Sequence, residues 1–156
     1  IRAQDPEIPI ATCSACELPS FIAAVGGPKV MHNVYLLGSM QGWLEKAEKG
    51  TTPEEKQTAA GLREYFTAMR AAGYSSDEQL ANSQVGWDAA LQIAWGVKTA
   101  GTLDAEKVKG RLQSMNINTL GIVWDRTPSD YLRIKDVHSV MEIVQPDGAI
   151  VLYNGG

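Results

Sequence analysis

The stretch N-S-Q-V-G-W-D-A-A-L-Q-I-A-W-G-V-K-T-A-G, from Asn82 to Gly101, decides the fold. Apolar residues recur in it every four positions, which is the spacing of one face of an α-helix. They are Val85, Ala89, Ile93 and Val97, and Gly86, Ala90 and Ala94 run beside them. A second row, Trp87, Leu91 and Trp95, extends the apolar surface over more than half of the helix. We therefore predict a helix that is buried on more than one side.

Signals for the ends of this helix and for the next elements follow directly. Gly101 is placed to end the helix as a left-handed C-cap. A second helix then begins, with Thr102 or Asp104 as its cap. After it, we predict a turn over Asn116–Thr119 and a strand over Leu120–Trp124.

The first half of the chain alternates short apolar runs with helix signals. Thr52-Pro53-Glu54-Glu55 has the pattern of a capping box and predicts a long helix. The other predicted elements are strands at Ile8–Thr12 and Val34–Gly38, a short helix at Leu18–Val25, loops at Cys13–Cys16 and Ser39–Trp43, and a polar exposed stretch at Glu45–Thr52. The chain closes with a predicted hairpin, Val137–Val144 and Ala149–Tyr153, around an Asp-Gly turn.

Alternation of buried strands with helices is typical of an α/β protein. We predict a Rossmann-like three-layer sandwich with a mostly parallel sheet, in one lobe spanning residues 1–156. Ligands of such sheets lie beyond the carboxyl ends of the strands.

The composition excludes several classes of protein. A net charge of -4 over 156 residues gives no basic surface for nucleic acid. No run of about 18 apolar residues is present, so we expect no membrane-spanning helix. The chain starts at Ile1 without a signal-peptide pattern, and we expect it to be a piece of a longer polypeptide.

Cys13-Ser14-Ala15-Cys16 is a CxxC motif, which in thioredoxin-like domains makes a redox pair. The aromatic and proline neighbours usual for that class are absent, and a structural disulfide or two thiols are the alternatives. A zinc site needs two more ligands, but His32 and His138 lack metal-ligand spacing. We predict no metal and no cofactor.

Polar residues cluster at the predicted strand ends and at the approach to the central helix. They are Thr12, Ser14, Ser39, Gln41, Asn82, Ser83 and Gln84. No nucleophile motif and no phosphate-binding glycine loop accompanies them. The sequence therefore favours binding over catalysis, and we predict no enzyme activity.

Four stretches resemble the second lobe of type I periplasmic solute-binding proteins, the branched-chain-amino-acid-binding class that serves ABC importers. They are Asp5–Ala11, the helix segment Gly86–Leu91, the turn Ala100–Val108 and the closing hairpin Met141–Val151. The four stretches follow the order and spacing of the family, and together they extend over nearly the whole chain. The resemblance implies an extracellular or periplasmic location, a partner permease in the membrane, and a first lobe that this chain lacks.

The resemblance also implies which residues bind the ligand, in a cleft between two lobes. Three segments match the contact positions: the loop Thr12, Cys13, Ser14 and Ala15; the loop residues Ser39, Met40 and Gln41; and Asn82 with Gln84 before the central helix. Family members serve amino acids, amides and small aromatic acids.

Two departures from the family pattern bear on the ligand and the role. Ser14 occupies the place of the acidic group that holds an ammonium, with Glu17 three residues further on, so we hypothesise a carboxylate ligand without an ammonium group. The stretch Trp124–Tyr131 lacks the family's glycine-rich segment. A sensory receptor ectodomain with the same fold and a CxxC redox domain are the alternatives. A redox domain predicts a reactive, low-pKa Cys13 thiol, and a receptor predicts a transmembrane segment in the parent gene.

Overall fold

The computed structural model describes residues 7–13, 19–137 and 140–154. Contacts group the chain into two compact units, Ile1–Lys46 with Ser139–Gly156, and Ala47–His138. Helices and strands occur in both, so the prediction of an α/β protein is confirmed. The prediction of one lobe over residues 1–156 stays a prediction.

The described chain contains strands and helices in the following order. They are β1 (Ile10–Thr12), α1 (Pro19–Ala24), a 3-10 helix (Pro28–Met31), β2 (Val34–Leu37), α2 (Met40–Lys49), α3 (Pro53–Ala71), α4 (Asp77–Ala100), α5 (Ala105–Leu112), β3 (Asn116–Thr119), β4 (Ile122–Asp125), β5 (Ile134–Val137), β6 (Met141–Val144) and β7 (Ile150–Leu152).

The first unit contains a four-stranded sheet in the order β1-β2-β6-β7. β1 and β2 are parallel, whereas β2 pairs antiparallel with β6 and β6 antiparallel with β7. The predicted closing hairpin is confirmed, although its first strand begins at Met141 rather than Val137. The prediction of a mostly parallel sheet is wrong. The strand expected to extend it, β4, belongs instead to a separate antiparallel sheet, and a short turn joins β6 to β7.

One face of this sheet forms the core of the first unit. Alternate residues of a strand point to opposite faces, so Val34 and Leu36 of β2 lie on the same side. They are buried with Met31 and Val144. The aliphatic side chains that pack against this cluster are Ile10, Ile22 and Ile150.

The second unit begins with three helices whose ends follow their local sequence. Thr52 and Glu55 form the predicted capping box of α3. Gly101, with φ 66°, ends α4 in the left-handed conformation, as predicted. Asp104 caps α5 by accepting a hydrogen bond from the backbone N of Lys107. These helix ends were predicted correctly because each depends on hydrogen bonds between residues no more than four positions apart.

The second sheet, in the order β3-β4-β5, corrects the predicted turn at Asn116–Thr119. That stretch is a strand, and the turn lies one step later, where Leu120 and Gly121 both have positive φ. Asn118 explains the error, because its amide donates to Thr58 Oγ1 at 2.9 Å. A polar residue that reads locally as a turn signal is thus satisfied by a distant helix. β5 (Ile134–Val137) was not predicted, and its last residue, Val137, was assigned to the first strand of the closing hairpin.

The central helix α4 is present as predicted, but its burial is not. Gly96 packs against α5, where an added Cβ would lie 3.0 Å from Leu112 Cδ2. On another side, the ring of Trp87 contacts the ring of Tyr65 at 5.5 Å between centroids. The predicted core stripe, however, is exposed, with Val85 at 75% and Ile93 at 56% of full exposure.

Candidate functional site

One edge of the first sheet gathers the ends of its four strands, and β7 ends there with Leu152 opposite Glu142. β1 and β2 are parallel and in register, with Thr12 opposite Leu36, so both strands end at this edge. β6 runs the other way and begins there, with Met141 opposite Leu37. The structure therefore brings Thr12 and the following residue, Cys13, to the edge from which the chain also enters α2. We call it the strand-end edge.

A helix begins at the strand-end edge where the sequence predicted a loop. α2 starts at Met40, so the prediction that Ser39–Trp43 is a loop is wrong. The charged residues of the next stretch, Glu45–Thr52, are exposed as predicted. The hydroxyl of Ser39 acts as the N-cap by accepting a hydrogen bond from Gly42 N at 2.9 Å. Met40 and Leu44 are buried at i and i+4, a weak helical signal interrupted by glycine.

The start of α2 is tied to β6 by a buried carboxylate. Glu142, 6% exposed, accepts hydrogen bonds from Ser39 N at 2.7 Å and from Ser39 Oγ at 3.0 Å. A negative charge is favourable at a helix N-terminus, where the first amides are otherwise unpaired. The carboxylate also explains Gly42, because a Cβ there would lie 2.4 Å from Glu142 Oε1.

Sequence reasoning missed Glu142 as part of this region. The glutamate and its partner Ser39 are 103 residues apart, and neither carries a local signal for the other. Both carboxylate oxygens of Glu142 accept hydrogen bonds from Ser39 inside the protein. This buried carboxylate is therefore not exposed to a ligand. The hydroxyl of Ser39 in turn serves α2 and the carboxylate.

The remaining predicted contact residues differ in exposure and in location. At the strand-end edge, Cys13 and Gln41 are exposed and Thr12 is half-buried, whereas Met40 is 8% exposed. Ser14 and Ala15 lie outside the described residues. Asn82 and Gln84 belong to α4 in the second unit, where Gln84 is half-buried and the Asn82 side chain is outside the description.

Two tyrosines that the sequence did not single out lie near the strand-end edge. The rings of Tyr35 and Tyr153 meet edge to face, with centroids 5.1 Å apart and planes at 88°. The backbone N of Tyr153 donates to Met141 O at 2.8 Å, which fixes it beside the first residue of β6. These rings add an aromatic surface beside the polar residues.

A polar cluster in the second unit joins α4 to the end of β4. Gln92 donates to Asp88 Oδ2 at 2.5 Å and accepts from Arg126 Nη2 at 3.0 Å. The guanidinium of Arg126 lies 4.2 Å from the ring centroid of Trp124. Burial lowers the pKa of Arg126, and the charge of Asp88 offsets part of that shift. Asp88 Oδ1 and Arg126 Nε are buried without a hydrogen-bond partner among the described residues.

Among residues 7–13, 19–137 and 140–154, no group of three or more His, Cys, Asp or Glu side chains is arranged to hold a metal ion. No helix in those ranges combines the length and the apolar character needed to cross a bilayer.

Comparison with known proteins gives a fold likeness. No protein-family model matches the chain. No curated protein sequence matches it either. Among solved structures, Rp1789 of Rhodopseudomonas palustris strain CGA009 is similar, with a TM-score of 0.62 and 18% identity. The match covers 98% of this chain but 43% of Rp1789, so this chain spans less than half of that protein.

Proposed function

We propose that the chain is part of a type I periplasmic solute-binding protein, the component that captures a small solute for an ABC importer. The observation that carries the proposal is the strand-end edge. Parallel β1 and β2 bring Thr12 and Cys13 to the same edge as Ser39 and Gln41, which are the positions that the family resemblance assigns to ligand contact. In α/β proteins such edges are the usual ligand sites.

The length of the structural neighbour supports a role as one part of a larger protein. This chain corresponds to 43% of Rp1789, which leaves room for a second lobe in a longer polypeptide. In that protein, the solute would contact both lobes and thereby favour the closed form over the open form. A membrane permease would then recognise the closed form outside the cytoplasm.

The ligand class follows from the side chains at the strand-end edge. Thr12, Cys13 and Gln41 are uncharged, and the carboxylate of Glu142 is buried and hydrogen-bonded to Ser39. An ammonium group would find no exposed acidic side chain among these residues. We therefore keep the hypothesis of a small organic or aromatic acid over an amino acid, with Tyr153 as a surface for an apolar body.

Thermal unfolding of the longer gene product tests the function. The protein is heated with each of the common amino acids and with a set of small aliphatic and aromatic carboxylates. A ligand at 100 times its dissociation constant adds about 2.7 kcal/mol to the free energy of unfolding, a clear rise in melting temperature. Thr12→Val, which removes one hydroxyl at the strand-end edge, is expected to reduce the rise. Thr99→Val, whose hydroxyl bonds the Trp95 carbonyl in α4, is the matched control.

The outcomes separate the alternatives. Stabilisation by amino acids but by no simple carboxylate would refute the carboxylate hypothesis and leave the solute-binding function in place. A panel without any effect would contradict solute binding at this edge. The exposed position of Cys13 keeps a thiol function as the second candidate. A Cys13 thiol that reacts quickly with alkylating agents near neutral pH would support it, because catalytic thiols have a lowered pKa.

A further inference from the structure

The exposed face of α4 is the place where sequence and structure disagree most. Six consecutive members of the predicted core stripe are exposed, and we call them the α4 stripe. They are Val85, Gly86, Ala89, Ala90, Ile93 and Ala94. None carries a polar side chain, although the outer face of a helix is normally charged or polar. The α4 stripe is about 14 Å long, at 1.5 Å per residue.

The other sides of α4 are already in contact with their own unit. Gly96 lies against Val108 and Leu112 of α5, and Trp87 lies against Tyr65 of α3. Asp88 and Gln92 form the polar cluster with the end of β4. The helix could bury the stripe by rotating about its axis only if these contacts were broken. The α4 stripe is an apolar surface on a helix whose orientation is fixed.

The shape of the α4 stripe indicates the kind of surface that covers it. Gly86, Ala89 and Ala90 leave the helix surface low, so a flat partner comes close to the backbone. α3, α4 and α5 lie side by side, and a layer of helices characteristically covers a β-sheet. The matched protein Rp1789 has more than half of its length outside the region that corresponds to this chain.

We propose that the α4 stripe packs against an apolar β-sheet face supplied by the remainder of a longer polypeptide. The inference rests on the part of the proposed function that places this chain in a larger protein. It adds the surface through which the two parts join. The open face is thus an internal interface of the parent protein.

Cysteine labelling tests whether the α4 stripe is covered, and it needs no ligand. Cys13 and Cys16 are first replaced by serine, and Ile93→Cys is compared with Leu103→Cys. Leu103 is 84% exposed and lies outside the α4 stripe, so it is the matched control. Maleimide labelling rates are measured in the 156-residue chain and in the longer gene product. In the short chain, we expect the two cysteines to react at similar rates. In the longer product, we expect Ile93→Cys to react at least about tenfold more slowly than Leu103→Cys, since the buried cysteine is labelled only on local opening.

Several results would overturn the proposal. They are slow labelling of Ile93→Cys in the short chain at all protein concentrations, slow labelling that develops as the short chain is concentrated, and fast labelling in the longer product. The second of these would identify a second copy as the occupant. A native gene product of 16.9 kDa, the mass of this chain, would leave no remaining polypeptide to cover the stripe.

A second variant guards against a local effect of the cysteine. Ile93→Glu should leave the urea midpoint of the short chain unchanged, because the side chain is exposed there. It should lower the midpoint of the longer product, where the charge would be buried. Because neither measurement uses a ligand, a panel without hits and an unprotected α4 stripe are separate failures.

Discussion

Gly42 should behave in the opposite way from an ordinary helix glycine. Replacing a glycine inside a helix by alanine normally stabilises a protein by about 0.5–1 kcal/mol, because alanine loses less backbone entropy on folding. At Gly42, however, the new Cβ would lie 2.4 Å from Glu142 Oε1. The carboxylate must then leave Ser39, whose two hydrogen bonds to it are 2.7 and 3.0 Å long.

The expected cost of Gly42→Ala exceeds the gain. Each hydrogen bond to a charged group contributes about 1.5–3 kcal/mol. Partial loss of two such bonds, less the helix gain, gives a net destabilisation of about 2–4 kcal/mol. The measurement is the free energy of unfolding from urea titration, with the slope m checked for constancy.

Two further variants make this prediction refutable. Gly86→Ala in α4 has no heavy atom within 4 Å of the new Cβ, so it should stabilise the short chain by about 0.5–1 kcal/mol. In a Glu142→Ala background, Gly42→Ala should lose most of its cost, because the obstructing carboxylate is gone and only Val140 Cγ2, 3.2 Å from the new Cβ, has to shift. If Gly42→Ala stabilises the native chain as Gly86→Ala does, the buried carboxylate at the start of α2 is not where we describe it.

Burial raises the pKa of the Tyr65 hydroxyl. The unfolded chain therefore loses this proton at a lower pH than the folded chain, and the free energy of unfolding should fall above pH ~10, by up to about 1.4 kcal/mol per pH unit. The stability difference between the native chain and Tyr65→Phe should therefore shrink between pH 9 and pH 11, and a constant difference in urea titrations would contradict the shift. Gln92→Met should lower the free energy of unfolding by about 3 kcal/mol, because it breaks hydrogen bonds to Asp88 and Arg126 that contribute about 1.5–3 kcal/mol each. A loss smaller than the error of denaturant titration would show that the cluster does not contribute to stability. Gly148→Ala combines a φ of 90° with a Cβ 2.5 Å from the proline that begins the 3-10 helix, so its thermal unfolding should show a loss of about 2–4 kcal/mol. A melting temperature equal to that of the native chain would refute this geometry of the β6–β7 turn.

What could be predicted from the sequence was set by distance along the chain. The start of α3 at Thr52 and the end of α4 at Gly101 were predicted because their hydrogen bonds close within four residues. The closing hairpin was predicted because Asp147 and Gly148 form its turn.

The parts that could not be predicted depend on distant partners. α2 was missed because Gly42 breaks its pattern, and the reason for that glycine is Glu142, far along the chain. β3 was missed because Asn118 is held by α3. The sequence placed Thr12 at the end of β1 and Ser39 just after β2, and the parallel pairing of these strands brings both ends to one edge. The α4 stripe was expected in a core, because apolar periodicity predicts burial without saying what lies on the other side.

The measurement that tests the account most directly is ligand mapping by NMR on the 156-residue chain. A carboxylate from the stability panel is titrated into the ¹⁵N-labelled chain, where even weak binding shifts amide resonances. We predict that the shifts concentrate at Thr12, Cys13, Ser39 and Gln41, which lie at the strand-end edge. Shifts confined to other parts of the chain, or none at saturating ligand, would contradict the proposal that this edge is the solute-binding surface.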